Sequence, residues 1–350
     1  MQNKRCKTIG LTVVAAAAMI LWLTTCDDDG PTKPVPVKDY VFYMNDGGYF
    51  DRYYRYFSGA AKVDSLTIPY GSGRGLAVSA DGTRLYLGDG AKTTVVSTDS
   101  FKLMTTINYY NGGGVAVSPD NRLVAIQGKD GLYILNTSDY SLLFHDTTQV
   151  ARGVFTPDSR MFYCLGGGGV YSVDLSDQLF PVGKKPYPYP VIWKIVPSHD
   201  EDKWFLLVYY GSCASSFEVY DVSLDSIIFR DSLFHNGYGD MVLSPDGQLL
   251  FYTMPGTIMI CGSDPPARLT VFDVDKNEIS KRILIPGHLP GSYLLAQNLA
   301  LTPDGRRLLT DGAAGHGQFV VIDVATMKVV ESYYLGNQVD IWDVSCQNAP

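Results

Sequence analysis

Charge is scarce in this chain: Asp, Glu, Lys and Arg make up 18% of its 350 residues, against 46% hydrophobic ones. That balance excludes a disordered polyelectrolyte, which needs low hydrophobicity and high net charge to stay unfolded. Basic residues are the minority, 28 against 36 acidic ones, and they form no patch. Nucleic-acid binding, which depends on neutralising phosphates, therefore finds no support. Common catalytic signatures are missing too: no Gly-x-Ser-x-Gly, no His-Glu-x-x-His, no Walker loop and no Cys-x-x-Cys. Gly71-Ser72-Gly73-Arg74-Gly75 shares glycines with a dinucleotide fingerprint. It leads into a strand, not a helix, so it has no helix N-terminus to offer a phosphate and reads as a turn. Gly166 to Gly169 reads as a hairpin turn. The Asp-box of sialidases is absent, since Asp81 and Gly82 are adjacent and no Trp follows.

Long apolar runs are scarce as well. Ile9 to Leu23 is the one that stands out, and its 15 residues fall short of the roughly 20 needed to span a bilayer as a helix. Lys4, Arg5 and Lys7 precede it and Leu23-Thr24-Thr25-Cys26 ends it. A basic start, a short apolar core and a small-residue end describe a secretion signal. The closing tetrapeptide resembles the cleavage box of bacterial lipoproteins. The resemblance implies that Cys26 is acylated and becomes the new N-terminus. An uncleaved N-terminal anchor is the alternative, and both put the chain on the outer side of a membrane. Processing would leave 25 basic and 36 acidic residues, a formal charge of −11.

What is abundant is glycine, with 35 residues, and tyrosine, with 24, as suits a turn-rich β-protein. After the leader (1–25), residues 26–39 hold the lipidated cysteine and a tether rich in Asp and Pro that cannot build a packed element. Beyond it one tetrapeptide recurs: Ser79-Ala80-Asp81-Gly82, Ser118-Pro119-Asp120-Asn121, Thr156-Pro157-Asp158-Ser159, Ser244-Pro245-Asp246-Gly247 and Thr302-Pro303-Asp304-Gly305. A decayed copy reads Pro197-Ser198-His199-Asp200. The spacings are 39, 38, about 41, about 47 and 58 residues, the period of propeller blades made of short strands. Proline pre-sets φ for a type I turn, Asp favours such turns, and the last Gly or Asn takes the left-handed conformation. A third strand in each unit commonly ends on Asp or Asn, as at Asp174, Asp221, Asp273 and Asp323, where the acid can cap the next turn.

Six motif copies give six four-stranded units. Residues 40–68 supply three further strands and Val339 to Val344 a fourth. Pairing the two ends completes a seventh blade and removes exposed edges. The sequence thus predicts an all-β, seven-bladed β-propeller over residues 40–346, with a tail at 347–350. The Ser-Pro-Asp-Gly turn and the Val-x-x-x-Asp third strand resemble the YVTN-type propellers of bacterial surface and periplasmic proteins, a family that includes binding proteins and a few enzymes.

Propeller ligands commonly meet the loops at one mouth of the central channel. Here those loops contribute Arg74, Tyr109, Tyr110, Arg152, Tyr187, Tyr189, His235, Tyr238, His288, Tyr293 and His316. Tyrosine offers an apolar face with a polar tip, which suits contact with a ligand or partner; the alternative is ordinary inter-blade packing. The histidines lack ligand-like spacing, so no metal is expected, and no cofactor motif is present. His145 and His199 have no special context. Cys213 and Cys261 fall in equivalent loops of neighbouring blades and form the best disulfide candidate. Cys164 lies in an apolar strand and reads as a buried small hydrophobe, while Cys346 reads as free. The leading function is a non-catalytic cell-envelope lipoprotein whose propeller binds a protein, a glycan or a small ligand. The alternative is a lactonase-like hydrolase acting in the channel, for which Asp240, Asp340 and Glu201 are the acids available.

Overall fold

The chain divides into two units, Met1–Lys38 and Asp39–Pro350, and the second is the one described here. In a computed structural model the described residues are 40–46, 52–58, 62–68, 75–88, 92–109, 114–128, 130–147, 150–166, 168–177, 179–187, 191–211, 214–233, 239–254, 268–285, 298–311, 318–335 and 341–348. The leader, Cys26 and the tether lie outside them.

The strands form seven four-stranded antiparallel sheets. In the six continuous blades the strands are neighbours in chain order, because each is joined to the next by a hairpin. The innermost strands are Leu76–Val78, Gly114–Val117, Val150–Phe155, Val191–Pro197, Met241–Leu243, Leu299–Leu301 and Ile341–Asn348. Each touches the next, and the last touches the first, so the ring is closed. We number the blades from the one that holds Tyr40–Asp46.

Blade 1 is built from both chain ends. Tyr40–Asp46 lies between Ile341–Asn348 and Arg52–Phe57, with Tyr40 opposite Asn348 and Met44 opposite Val344. The closing strand therefore runs later than the expected 339–344 and takes in Gln347 and Asn348, which pair with Val41 and Tyr40. The partner strand sets its extent, and that information is about 300 residues away. Alternate residues of Tyr40–Asp46 serve opposite neighbours, as the two-residue period of a strand requires. Tyr40, Phe42 and Met44 pack with Leu309, Phe319 and Val321 of blade 7. Val41 and Tyr43 pack with Leu76, Leu85, Leu87 and Val96 of blade 2.

Second and third strands are sandwiched between blades, so they are buried on both faces and read as unbroken apolar runs such as Leu85-Tyr86-Leu87. Outer strands have one wet face, and Lys328–Tyr334 alternates between exposed and half-buried residues. Cys164, within Met161–Gly166, is a free and fully buried thiol, and burial pushes it up to about 12, where it is inert.

The recurrent turn has the same wiring in each copy. In blade 6, Ser244 Oγ donates to Asp246 Oδ1 at 2.6 Å and accepts from Leu249 N at 2.9 Å, while Gln248 N donates to Asp246 at 3.1 Å. The fourth residue is left-handed throughout: Gly82, Asn121, Ser159, Gly247 and Gly305 have φ of 61–74°. The decayed copy begins one residue later than its proline suggests. Ser198 Oγ donates to Asp200 and accepts from Lys203 N, and Glu201 is the left-handed residue, with φ 61°. Its Pro197 precedes the turn, and His199 fills the usual proline position. Neighbouring turns also touch: Asn121 Nδ2 donates to Asp81 at 2.8 Å and Asp120 N to Ser159 Oγ at 3.1 Å. The third-strand acids cap as expected, with Asp221, Asp273 and Asp323 accepting backbone N–H bonds from Leu224, Lys276 and Thr326.

This wiring makes a prediction. Ser244→Ala removes a charge-assisted bond and is expected to cost about 1–3 kcal/mol in urea unfolding. The Ser244 hydroxyl, followed by the Gln248 amide, holds the Asp246 carboxyl below its ordinary value. A carboxyl lowered in the folded state stabilises above its unfolded value of about 4, and that contribution is lost as pH falls further. Ser244→Ala should therefore flatten the fall in stability below about pH 4. An unchanged acid limb would show that the turn does not contribute to it.

Candidate functional site

All inner strands run away from the same mouth of the ring, and all the recurrent turns lie at the opposite end. The residue four places before each turn therefore occupies one level near the mouth. From blade 2 to blade 7 these residues are Gly75, Gly114, Arg152, Lys194, Asp240 and Asn298. The first two are glycines at a close approach of two blades: a Cβ on Gly75 would lie 2.9 Å from Gly114 Cα. The other four are polar.

Two of the polar residues, Lys194 and Asp240, link successive blades, and Asn298 is tied within blade 7. Lys194 Nζ lies 2.5 Å from Asp240 Oδ1. Asp240 Oδ1 also accepts Met241 N at 2.8 Å, and Oδ2 accepts Leu299 N of blade 7 at 3.0 Å. Asn298 N donates to Asp311 Oδ1 at 3.0 Å. Asp240 is 6% exposed; a carboxylate so buried requires such partners.

Arg152 differs from these. It occupies a bulge between Ala151 and Gly153, with φ 41°, in the left-handed region that non-glycine residues rarely enter. Trp193 is likewise the extra residue of a bulge, between Ile192 and Lys194 of the next inner strand. The guanidinium carbon lies 4.3 Å from the Trp193 ring centroid, a cation–π contact between blades 4 and 5. Trp193 also rests on the aromatic core around Phe205 and Phe217. Among the described residues Arg152 makes no ion pair.

The other expected site residues fare variously. Tyr109 is half-buried beside Tyr133, with centroids 4.6 Å apart, and Tyr133 stacks on His145 at 4.3 Å. Tyr133 donates to Asp130, which pushes its phenol up to about 12. Tyr187 departs from the exposed role expected of it. It is 6% exposed, and its hydroxyl donates to Glu218 Oε2 at 2.5 Å. Glu218 is fully buried and also accepts Ser216 Oγ at 2.7 Å and the Tyr210 hydroxyl, while Arg230 Nε lies 2.8 Å away. This is a satisfied internal network. Glu201 belongs to a turn at the far end, where burial raises its carboxyl and Tyr163 donates to it at 3.2 Å; a whole inner strand separates it from the mouth. Arg74, Tyr110, Tyr189, His235, Tyr238, His288, Tyr293, His316, Asp340, Cys213 and Cys261 lie outside the described residues, as does the Cys346 side chain. Among the described residues no group of three or more His, Cys, Asp or Glu is placed to hold a metal ion.

Trp193 and Lys194 were not anticipated. Counting back from the turns would have found Lys194, but the decayed copy, framed one residue early, hid it.

No protein-family model matches the chain. No curated protein matches it either. Solved structures do match, at low identity. Kuenenia stuttgartiensis hydrazine synthase superposes with a TM-score of 0.64 at 14% identity, covering 80% of this chain and 93% of that one. The β-propeller domain of Myceliophteria thermophila Cps50 (Swd1) gives 0.62 at 11% identity, covering 81% and 92%. Dihydro-heme d1 dehydrogenase NirN gives 0.54 at 16% identity, covering 85% and 73%. At identities this low the similarity carries the fold and no activity. The chain is a seven-bladed β-propeller whose ring is closed by its own two ends.

Proposed function

We propose that this chain is a non-catalytic lipoprotein of the cell envelope, a YVTN-type propeller that binds its ligand at the mouth where the inner strands begin. The leader and its Leu-Thr-Thr-Cys end support the anchor. Tyr40 and Asn348 pair at the end of blade 1 where the other blades carry their turns. The opposite mouth carries Arg152 and Trp193.

The observation that carries the non-catalytic reading is the state of Asp240. Of the acids weighed for a hydrolase it is the one that the described residues place at the mouth; it is 6% exposed, and Lys194 together with two backbone N–H groups engages both of its oxygens. A general base needs a free lone pair within reach of substrate. The test is direct. Protein beginning at Asp39 is expected to show no turnover of lactones, with or without divalent metal, above the buffer rate. Robust hydrolysis that Asp240→Asn abolishes would overturn this reading and restore the hydrolase.

A further inference from the structure

The geometry points to an oxyanion site at this mouth, in which the Arg152 guanidinium, braced on the Trp193 ring, receives a carboxylate or phosphate group of the ligand. The inference rests on the binding-platform reading and gives it a ligand chemistry. Three observations carry it.

The first is the backbone. Blades 2 and 3 place glycine at the level of Arg152, with φ of 142° and 146° at Gly75 and Gly114. Blade 4 instead holds a long charged side chain at φ 41°, a conformation that glycine would adopt without steric cost. Strain of this kind persists where the surroundings over-determine it and tends to gather at ligand sites. The second is charge. Lys194, at the same level, has its partner in Asp240, and Asp240 is committed to blades 5, 6 and 7. Arg152 is the cation left over at this level among the described residues. The third is shape. A guanidinium whose carbon lies 4.3 Å over an indole ring has that side covered, and a π-face contact leaves its N–H donors unused. That fork matches two oxygens of a carboxylate or phosphate. Trp193 is itself held by the core beneath it, so the pair is set before any ligand arrives. The acidic net charge, −8 over the whole sequence, opposes an anion only at long range, because salt screens it beyond about 8 Å.

A purely structural Arg–Trp brace predicts a different outcome, and two substitutions separate the cases. Arg152→Gly removes the charge and relaxes the backbone; Arg152→Met removes the charge and keeps the backbone in its left-handed region. Protein from Asp39 onward would be titrated with sodium glucuronate, inorganic phosphate and uncharged glucose, followed by indole fluorescence and calorimetry. Saturable binding of one or both anions is expected, with none for glucose, and at least a tenfold weakening in both variants. Arg152→Gly should melt at or above the parent temperature. Response to glucuronate alone identifies a carboxylate ligand, and response to phosphate alone a phosphorylated one. The inference fails if neither anion binds, if glucose binds as well as the anions, if Arg152→Gly binds like the parent, or if that variant melts well below it. Absence of anion binding without lactone turnover would remove the oxyanion site and leave the platform reading standing. Turnover would remove the platform, whatever the anions do.

Discussion

Deletion of residues 337–350 is expected to abolish the single cooperative melting transition of the propeller and to cause aggregation. The deletion takes away Ile341–Asn348, the inner strand of blade 1, and leaves Tyr40–Asp46 as a bare edge with unpaired N–H and C=O groups. It also opens the ring at the contacts between that strand and the inner strands of blades 7 and 2. What remains of blade 1 is still bound on both sides. Tyr56 donates to Glu331 of blade 7, and Arg55 donates to the carbonyls of Thr98 and Asp99 of blade 2 while pairing with Asp64 at 2.8 Å. The loss should therefore appear as broadened melting and exposed edges more than as a missing blade. Because domains are stable by only about 5–15 kcal/mol, losing a full strand from a closed ring consumes much of that margin. A second construction keeps the prediction falsifiable. Tyr40 and Asn348 oppose each other as the two ends of a hairpin do, so a Ser-Pro-Asp-Gly link between them, with new ends opened inside another blade, should fold and melt near the parent. A truncated protein that melts like the parent would show that the ring does not depend on this strand.

Phe217→Ala should destabilise the protein by about 3–5 kcal/mol, the cost of removing a fully buried aromatic ring when the cavity cannot collapse. Phe217 joins blades 5 and 6. Its ring stacks on Tyr252 with centroids 4.4 Å apart, meets Phe272 edge-on at 5.1 Å, and lies 6.1 Å from Phe229 and 6.4 Å from Phe205. Phe205, Phe217, Tyr252 and Phe272 are all fully buried and lie on second and third strands locked into two sheets, so the wall has little room to relax. The Tyr252 hydroxyl is held by Asp231 at 2.8 Å, which fixes the ring on which Phe217 stacks. Phe217→Leu refills most of the volume and should cost far less. Urea unfolding with a constant slope checks both variants. A loss below about 1 kcal/mol for the alanine variant would mean that the interface repacks freely, against the close-packed interior expected of it.

The turn motif was legible because its chemistry is local. The Ser or Thr hydroxyl, the Asp carboxylate and the amides that they bind lie within about six residues, so composition alone fixes the geometry. The same holds for Asp221, Asp273 and Asp323, which cap the turns immediately after them. The decayed copy shows where local reading fails. Pro197 resembles the motif's proline, but the hydrogen bonds of Ser198 set the frame, and a turn can keep its wiring with His199 in the proline position. At the mouth, Arg152 could be nominated from its loop, but its partner could not. Trp193 is 41 residues away and reaches it because two bulges fall on facing inner strands. Tyr187 carried the composition of a contact residue, yet Glu218, 31 residues on, draws its hydroxyl inward.

By itself the sequence determined the all-β class, the seven-fold repeat and the need for a two-ended blade. Each follows from short-range rules: turn chemistry, apolar alternation and the count of strands left over. Tertiary structure decided where the closing strand lies and, among the described residues, which acids are committed and which cation at the mouth is left. Those outcomes depend on register between blades, which is set by contacts between residues tens to hundreds of positions apart. A shift of one residue in that register would move Lys194 from the level of Asp240 and break the link between them. The level that holds Arg152 is thus a property of the closed ring, and no single blade contains it.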